Sequence, residues 1–251
     1  MTNRILIRAD DLGYCEAVNY GIEKAIRSGL IRSVGLMPNL SAAAHGVALL
    51  QGLDVCWGQH TNLCLGRPLT DPAKIPSLVD GNGLLKTTKI WRSQTDAFAK
   101  VEEMELEIEA QYLRFVELTG RKPSYFEGHA VFGPKVDAAF RTVAERYGLD
   151  YLPASFTGPA KFGRVRLRTV LESQLPDYDP LRTLQKAVEA DCPEDTIPML
   201  ILHPGYVDAF LLRTSMLTTA RAWEVELAES GEGLRNLKER NVRIVNYDEV
   251  K

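Results

Sequence analysis

Short apolar runs bounded by turn residues alternate along this chain with segments whose apolar positions repeat every three to four residues. Ile5 to Arg8 is such a run and ends in Ala9, Asp10, Asp11 and Gly13. The spacing of Ala17, Val18, Ile22, Ala25 and Ile26 then predicts a helix from about Cys15 to Ser28, stopped at Gly29. Ser33 to Met37 reads as a second strand broken by Pro38 and Asn39, Ser41 to Leu50 as a second helix, and Asp54 to Gln59 as a third strand. Strand, helix and strand with short connections predict a parallel sheet faced by helices.

The register breaks over Thr61 to about Gln94, where Gly66, Pro68, Pro72, Pro76, Gly81 and Gly83 predict a long irregular segment serving a site as lid or wall rather than joining domains. Ala97 to Leu118 reads as a long amphipathic helix with Glu102, Glu103, Glu105, Glu107 and Glu109 on a solvated acidic face. Beyond it come a strand at Pro123 to Gly128, a helix at Lys135 to Tyr147 opened by Pro134, and a short strand at Asp150 to Leu152. Pro153 to Pro180 shows no assignable pattern. Leu181 to Glu189 reads as helix, Ile197 to Leu202 as a buried strand, Thr218 to Glu229 as helix and Val242 to Val245 as a last strand. About seven β/α alternations predict an α/β fold, a (β/α) barrel of parallel strands with outer helices, irregular in outline and forming a single domain over residues 1–251.

Composition narrows the classes. Thirty basic residues against 33 acidic ones leave a net charge of −3, without the basic excess that nucleic-acid binding demands, so nucleic acid is not expected as a partner. No apolar run reaches the ~18 to 20 residues that cross a bilayer, so no membrane association is expected either. The opening stretch MTNRILIRADD begins a strand pattern at once, which predicts a cytoplasmic protein without a signal peptide. Cys15, Cys56, Cys64 and Cys192 show no Cys-x-x-Cys spacing and read as buried, reduced thiols.

The chemistry sits at strand ends. Of four histidines, His45 falls inside a helix and reads as structural or surface. His60, His129 and His203 each fall at the C-terminal end of a predicted strand, as do Asp10 and Asp11, and that rim is where parallel α/β folds build their sites. Singly, each histidine has an ordinary structural explanation, and Asp-Asp-x-Gly could be a turn capping the first helix. Agreement among four strand ends is harder to explain that way. One carboxylate and two neutral imidazoles suit a divalent metal with open positions, so Asp11, His60 and His129 are the candidate ligands. Asp10 beside a cation would stay ionised and act as general base, leaving His203 to protonate the leaving group.

At this point the residues resemble a known family. ILIRADDLGYCEAVNYGI, GLIRSVGLMPN, GQHTNLCLGRPL, FEGHAVFGP and LHPGYVD occur in order from near residue 5 to residue 208 and are similar to the motifs of the YdjC family of carbohydrate deacetylases. The resemblance implies a deformed (β/α) barrel and a divalent metal such as Mg or Zn. It further implies that metal-bound water hydrolyses the acetamido group of N-acetylated oligosaccharides typified by chito-oligosaccharides, in an enzyme that forms a homodimer. Asp11, His60 and His129 match the family's metal ligands, Asp10 its general base and His203 its motif histidine near the leaving group. Asn62 and Arg67, in the block after His60, and Asn39 at the end of the second strand are expected to face substrate.

One block departs from the pattern. Where the family often shows Asp-Gly-His-Gln-His, this chain has Glu127, Gly128, His129, Ala130 and Val131, so the second histidine is absent. Glu127 is one methylene longer than aspartate and would orient a ligand from further back. Two other readings stay open: a non-catalytic sugar-binding or regulatory barrel that keeps the metal site, and a non-haem iron oxygenase, against which the β/α pattern and the spare Asp10 argue.

Overall fold

The apolar runs of the chain become the strands of one curled sheet. The computed structural model describes residues 3–251; the expectation drawn from the extreme N-terminus touches Met1 and Thr2, which lie outside them. In chain order the elements begin with β1 (Arg4–Leu12), α1 (Glu16–Arg27), β2 (Ser33–Leu36), α2 (Ala43–Leu49), β3 (Cys56–Asn62), α3 (Thr88–Gln94) and α4 (Val101–Thr119). They continue with β4 (Tyr125–His129), α5 (Pro134–Tyr147), β5 (Ala160–Phe162), β6 (Val165–Val170), α6 (Pro180–Glu189) and β7 (Thr196–Leu202). The last are α7 (Ala209–Thr214), α8 (Thr219–Glu229), α9 (Glu232–Glu239) and β8 (Arg243–Val245).

The strands lie in the order β4-β3-β2-β1-β7-β6-β5, with β8 added against the start of β1. Every pairing is parallel except the β5–β6 hairpin. Among the described residues no ladder joins β4 to β5, so the barrel is deformed and open, a half-barrel with helices outside.

Alternation along the strands separates an interior from an exterior core, because successive side chains point to opposite faces. Leu6, Cys56, Tyr125, Leu167, Ile197, Met199 and Ile201 fill the inside of the curl. Ile5, Ile7, Val34, Trp57, Leu200 and Leu202 face outward and pack with Val18, Ile22, Leu184 and Leu227 of the helices. A third cluster joins Phe126 to Met104 and Ile108 of α4 and Phe140 and Val143 of α5. Tyr125 fits inside only because residue 58 is glycine, since a Cβ there would stand 2.1 Å from its ring.

Several expectations change. β1 runs on through Asp10 and Asp11, and the expected strand at Asp150 to Leu152 is a single bridge between Phe126 and Tyr151. The unassigned stretch from Pro153 to Pro180 carries the β5–β6 hairpin, whose strands are too short to show a period. The acidic face of α4 is solvated only in part. Glu103 and Glu107 are buried, and Glu107 is fully so. Both Glu107 oxygens accept from the Leu69 amide, and one also from that of Thr70, while Glu103 accepts from that of Ser77. Irregular backbone lying over a helix leaves donors that need acceptors, and α4 supplies them. Among the described residues no helix is long and apolar enough to cross a membrane. All four cysteines are free; Cys15, Cys56 and Cys64 are buried and Cys192 is partly so.

Candidate active site

At the end of β1 the backbone abandons regular alternation. Leu6, Arg8 and Asp10 point inward in turn, so Asp11 would ordinarily point out. Instead Asp11 adopts φ 75°, and the β1–β2 register shifts between Ala9 and Leu12. A bulge of this kind re-aims one side chain at a local cost of about 1 to 3 kcal/mol. Hydrogen bonds hold it in place: the Tyr14 amide donates to the Asp11 carbonyl at 3.0 Å and the Met37 amide to that of Leu12 at 2.8 Å. Two adjacent aspartates thereby reach the same imidazole.

That imidazole is His60, on the inward series Cys56, Gly58, His60 and Asn62 of β3. Its Nε2 lies 3.3 Å from Asp11 Oδ1 and 3.0 Å from His129 Nδ1. His129 ends the inward series of β4, with Nδ1 3.1 Å from the same Asp11 oxygen. One ligand atom from each of the three lies within 4.8 Å of the others. On its opposite side His60 Nδ1 contacts Glu127 Oε1, and Asp10 Oδ2 is 4.0 Å away. A carboxylate acceptor at Nδ1 puts a ring hydrogen there and leaves Nε2 as the nitrogen that faces Asp11 and His129.

Two buried arginines balance these acids. Arg8 Nη2 is 2.8 Å from Asp10 Oδ2 and 3.3 Å from Glu127 Oε2, while Arg221 Nη2 is 2.6 Å from Asp11 Oδ2. Each aspartate therefore has one oxygen engaged by an arginine, and Oδ1 of each is buried with no hydrogen-bond partner. Burial opposes ionisation of Asp11, but the charges of Arg221 and His129 prevail and hold it well below the usual carboxylate range. Glu127 is lowered against its own burial by Arg8 and His60. Burial disfavours protonated imidazoles, yet Glu127 and Asp10 raise His60 and Asp11 pushes His129 up to about 9. The donor set fits a divalent cation: an unpartnered carboxylate oxygen beside two imidazole nitrogens, in a field that favours positive charge.

His203 follows the inward series Ile197, Met199 and Ile201 of β7. Its amide donates to Glu224 Oε2 at 2.5 Å, and its carbonyl accepts from Arg221 Nη1 at 3.3 Å, so one arginine ties it to Asp11. The ring Nδ1 is buried without a partner, and burial brings His203 down to about 4 against the pull of Asp11 and Asp10. Burial also lifts Glu224 to about 7, although Tyr178 donates to it at 2.7 Å.

The structure gathers Asp10, Asp11, His60 and His129, and brings His203 within range of their charges. No hydrogen bond joins Asn39, Asn62 or Arg67 to that cluster among the described residues. Asn62 is fully buried, and its amide donates to Asn39 Oδ1 at 3.1 Å and the Leu65 carbonyl at 2.7 Å while accepting from the Cys64 amide. Asn39 donates to the carbonyl of Arg67 at 3.0 Å. These side chains brace the turn at residues 63–67, and the Arg67 side chain lies at the surface. His45 contacts Asn19, in keeping with its structural reading.

Sequence reasoning missed Arg8, Arg221 and Glu224. Arg8 had a signal, as a cation that directly follows the apolar run Ile5 to Ile7 and stands two residues before Asp10. Arg221 and Glu224 had none, for they sit on α8, which packs on α1 far away in sequence.

A family model described as YdjC-like protein matches residues 4–239. Carbohydrate deacetylase 2 of Listeria innocua serovar 6a is 32% identical over 253 residues, covering 98% of each chain. Chitooligosaccharide deacetylase of Escherichia fergusonii is 35% identical over 130 residues, 51% of this chain and 50% of that one. The crystal structure of a candidate cellobiose-phosphate cleavage protein from Enterococcus faecalis V583 superimposes with a TM-score of 0.84 at 24% identity, covering 99% of both chains, which speaks to the fold alone. With the family match spanning nearly all of its length, the chain belongs to the YdjC-like family.

Proposed function

We propose that this protein is a carbohydrate N-deacetylase, a metal-dependent amide hydrolase that removes acetyl groups from N-acetylated amino sugars of the chito-oligosaccharide kind. The observation that carries the reading is the Asp11–His60–His129 cluster with Asp10 beside it. The names of the Listeria and Escherichia relatives supply the substrate class. A divalent cation held by Asp11, His60 and His129, Mg or Zn, supplies Lewis-acid activation of water and of the acyl carbonyl.

The chain's own groups account for the rest. Asp10 keeps Oδ2 on Arg8 and Oδ1 unpaired, so a fixed carboxylate with an open lone pair accepts the proton of the attacking water. Water adds to the acyl carbon, the C–N bond breaks, and acetate and the free amine leave. The amine needs a proton. His203 rests neutral, so it serves as a relay that takes up the proton Asp10 removed from water and delivers it to the departing amine, not as an acid charged in advance. The buried arginines hold the two aspartates apart in role by occupying one oxygen of each. In this reading residues 1–251 act as one deacetylase domain, in keeping with the single sheet that runs from β1 to β8, and work as a cytoplasmic homodimer; sedimentation and cell fractionation check the last two points.

The Glu127 to Val131 departure favours a second reading, a sugar-binding barrel without turnover. Acetate release from a panel of chito-oligosaccharides, with chelated and cation-restored protein, separates the two. Turnover that vanishes on chelation and returns with cation is expected. Asp10→Asn should lower kcat by at least a hundredfold while cation affinity stays within threefold, and His129→Ala should weaken cation binding itself. Equal activity of wild type and Asp10→Asn would sink the mechanism, and sugar binding without acetate release would favour the second reading.

A further inference from the structure

Two groups of cation-compatible side chains meet at His60. One is Asp11, His60 and His129; the other is Asp10, His60 and Glu127, whose ligand atoms also lie within 4.8 Å of one another and whose members are all buried. On ligand chemistry alone the second group, with two carboxylates, is the more attractive to a hard divalent ion.

The arginines distinguish the groups. Arg221 approaches the first from outside, taking Asp11 Oδ2 and leaving Oδ1 to face the two imidazoles. Arg8 is bound to both carboxylates of the second, with one nitrogen 2.8 Å from Asp10 and 3.3 Å from Glu127. It cannot easily withdraw. Its side chain is 4% exposed, Nη1 donates to Tyr247 Oη at 3.0 Å, and the guanidinium carbon stands 5.4 Å from the centre of the Tyr125 ring. Tyr125 and Tyr247 stack with centroids 3.8 Å apart within the interior cluster.

We propose that Arg8 is a built-in cation: it fills the Asp10–His60–Glu127 group, confines the centre to one divalent ion, and thereby keeps Asp10 unligated. Arg8 touches neither water nor substrate in this account and is a positioning residue. A second ion there would meet the guanidinium charge at contact range and would draw Asp10 into coordination. The inference rests on the ligand set of the proposed deacetylase but is tested without substrate, so the two can fail separately.

Mn²⁺ is the probe, counted by equilibrium dialysis and read by its electron paramagnetic resonance spectrum. Wild type should bind a single Mn²⁺ per chain with an uncoupled spectrum. Arg8→Gln should gain a second ion and the exchange-coupled signal of a dinuclear pair; Arg8→Gln with Asp10→Asn should return to one; and Arg8→Lys, which keeps the charge, should stay at one. A natively melting Arg8→Gln that still binds a single ion would overturn the proposal. Should Arg8→Gln fail to fold, wild type decides: a second Mn²⁺ that Asp10→Asn abolishes overturns the inference, and its absence at saturating Mn²⁺ upholds it.

Discussion

Asp11 and Glu127 illustrate how much of a site resides in the aim of single side chains. Asp11 stands in left-handed backbone, where the local strain is comparable to one good hydrogen bond to a charged group. The 2.6 Å contact with Arg221 and the anchored bulge outweigh it, because losing one partner of a buried ion pair costs about 3 to 5 kcal/mol. Glu127 acts at one remove, by contacting His60 Nδ1 and so setting which nitrogen faces Asp11. Groups that orient a ligating histidine commonly account for 10- to 100-fold in metal affinity. Glu127→Gln is therefore expected to weaken cation binding by about that factor, as measured by isothermal titration calorimetry; a change under threefold would remove the orienting role.

Among the elements, α4 does more than cover the barrel. Glu103, Glu107 and Gln111 recur at intervals of four, each one residue before the buried Met104, Ile108 and Tyr112. Glu107 receives the Leu69 and Thr70 amides, and Gln111 bonds both the Asn62 backbone and Glu107. The helix thus ties the irregular segment after β3 to the strand that carries His60. Deleting a buried acceptor strands its donors at about 1 to 3 kcal/mol each. Glu107→Ala should let a protease cut within residues 63–87 at least tenfold faster, with the cuts located by mass spectrometry. Unchanged cleavage would mean that the segment holds itself. The β5–β6 hairpin pairs with β7 on the other side of β1, and His203 directly follows the last residue of β7.

For the whole molecule, the concentration of charge at one barrel mouth predicts a pH response that depends on the cation. His129 is raised from its ordinary 6.5 to about 9, and His60 is raised in the same direction, in both cases by acids that overcome burial. A group raised on folding contributes stability that is fully present below its unfolded value and is lost as pH climbs through the folded one. Cation-free protein should therefore lose melting temperature from about pH 6.5 to 9. Bound cation replaces those protons, so saturated protein should hold steady over the same window or gain as affinity rises. Thermal melts with and without chelator between pH 6 and 9.5 test this. Identical slopes in the two series would separate the histidines from cation binding.

The sequence by itself determined most of the strands and helices, though not the β5–β6 hairpin, α3, α7 or α9, and it marked out the strand-end residues Asp10, Asp11, His60, His129 and His203 as candidates. Each of these follows from local rules: apolar period, turn residues, and the alternation that puts an odd or even series on one face. Glu103 and Glu107 show where such rules stop, since a glutamate beside an apolar stripe is solvated or buried according to what lies over it. Only the tertiary structure decided that Asp11 turns inward through a bulge, that Arg8 and Arg221 each claim one aspartate oxygen, and that Asn39 and Asn62 brace a turn. Those outcomes depend on partners up to 210 residues away in the chain, as for Arg221 and Asp11, and no local pattern encodes such a distance.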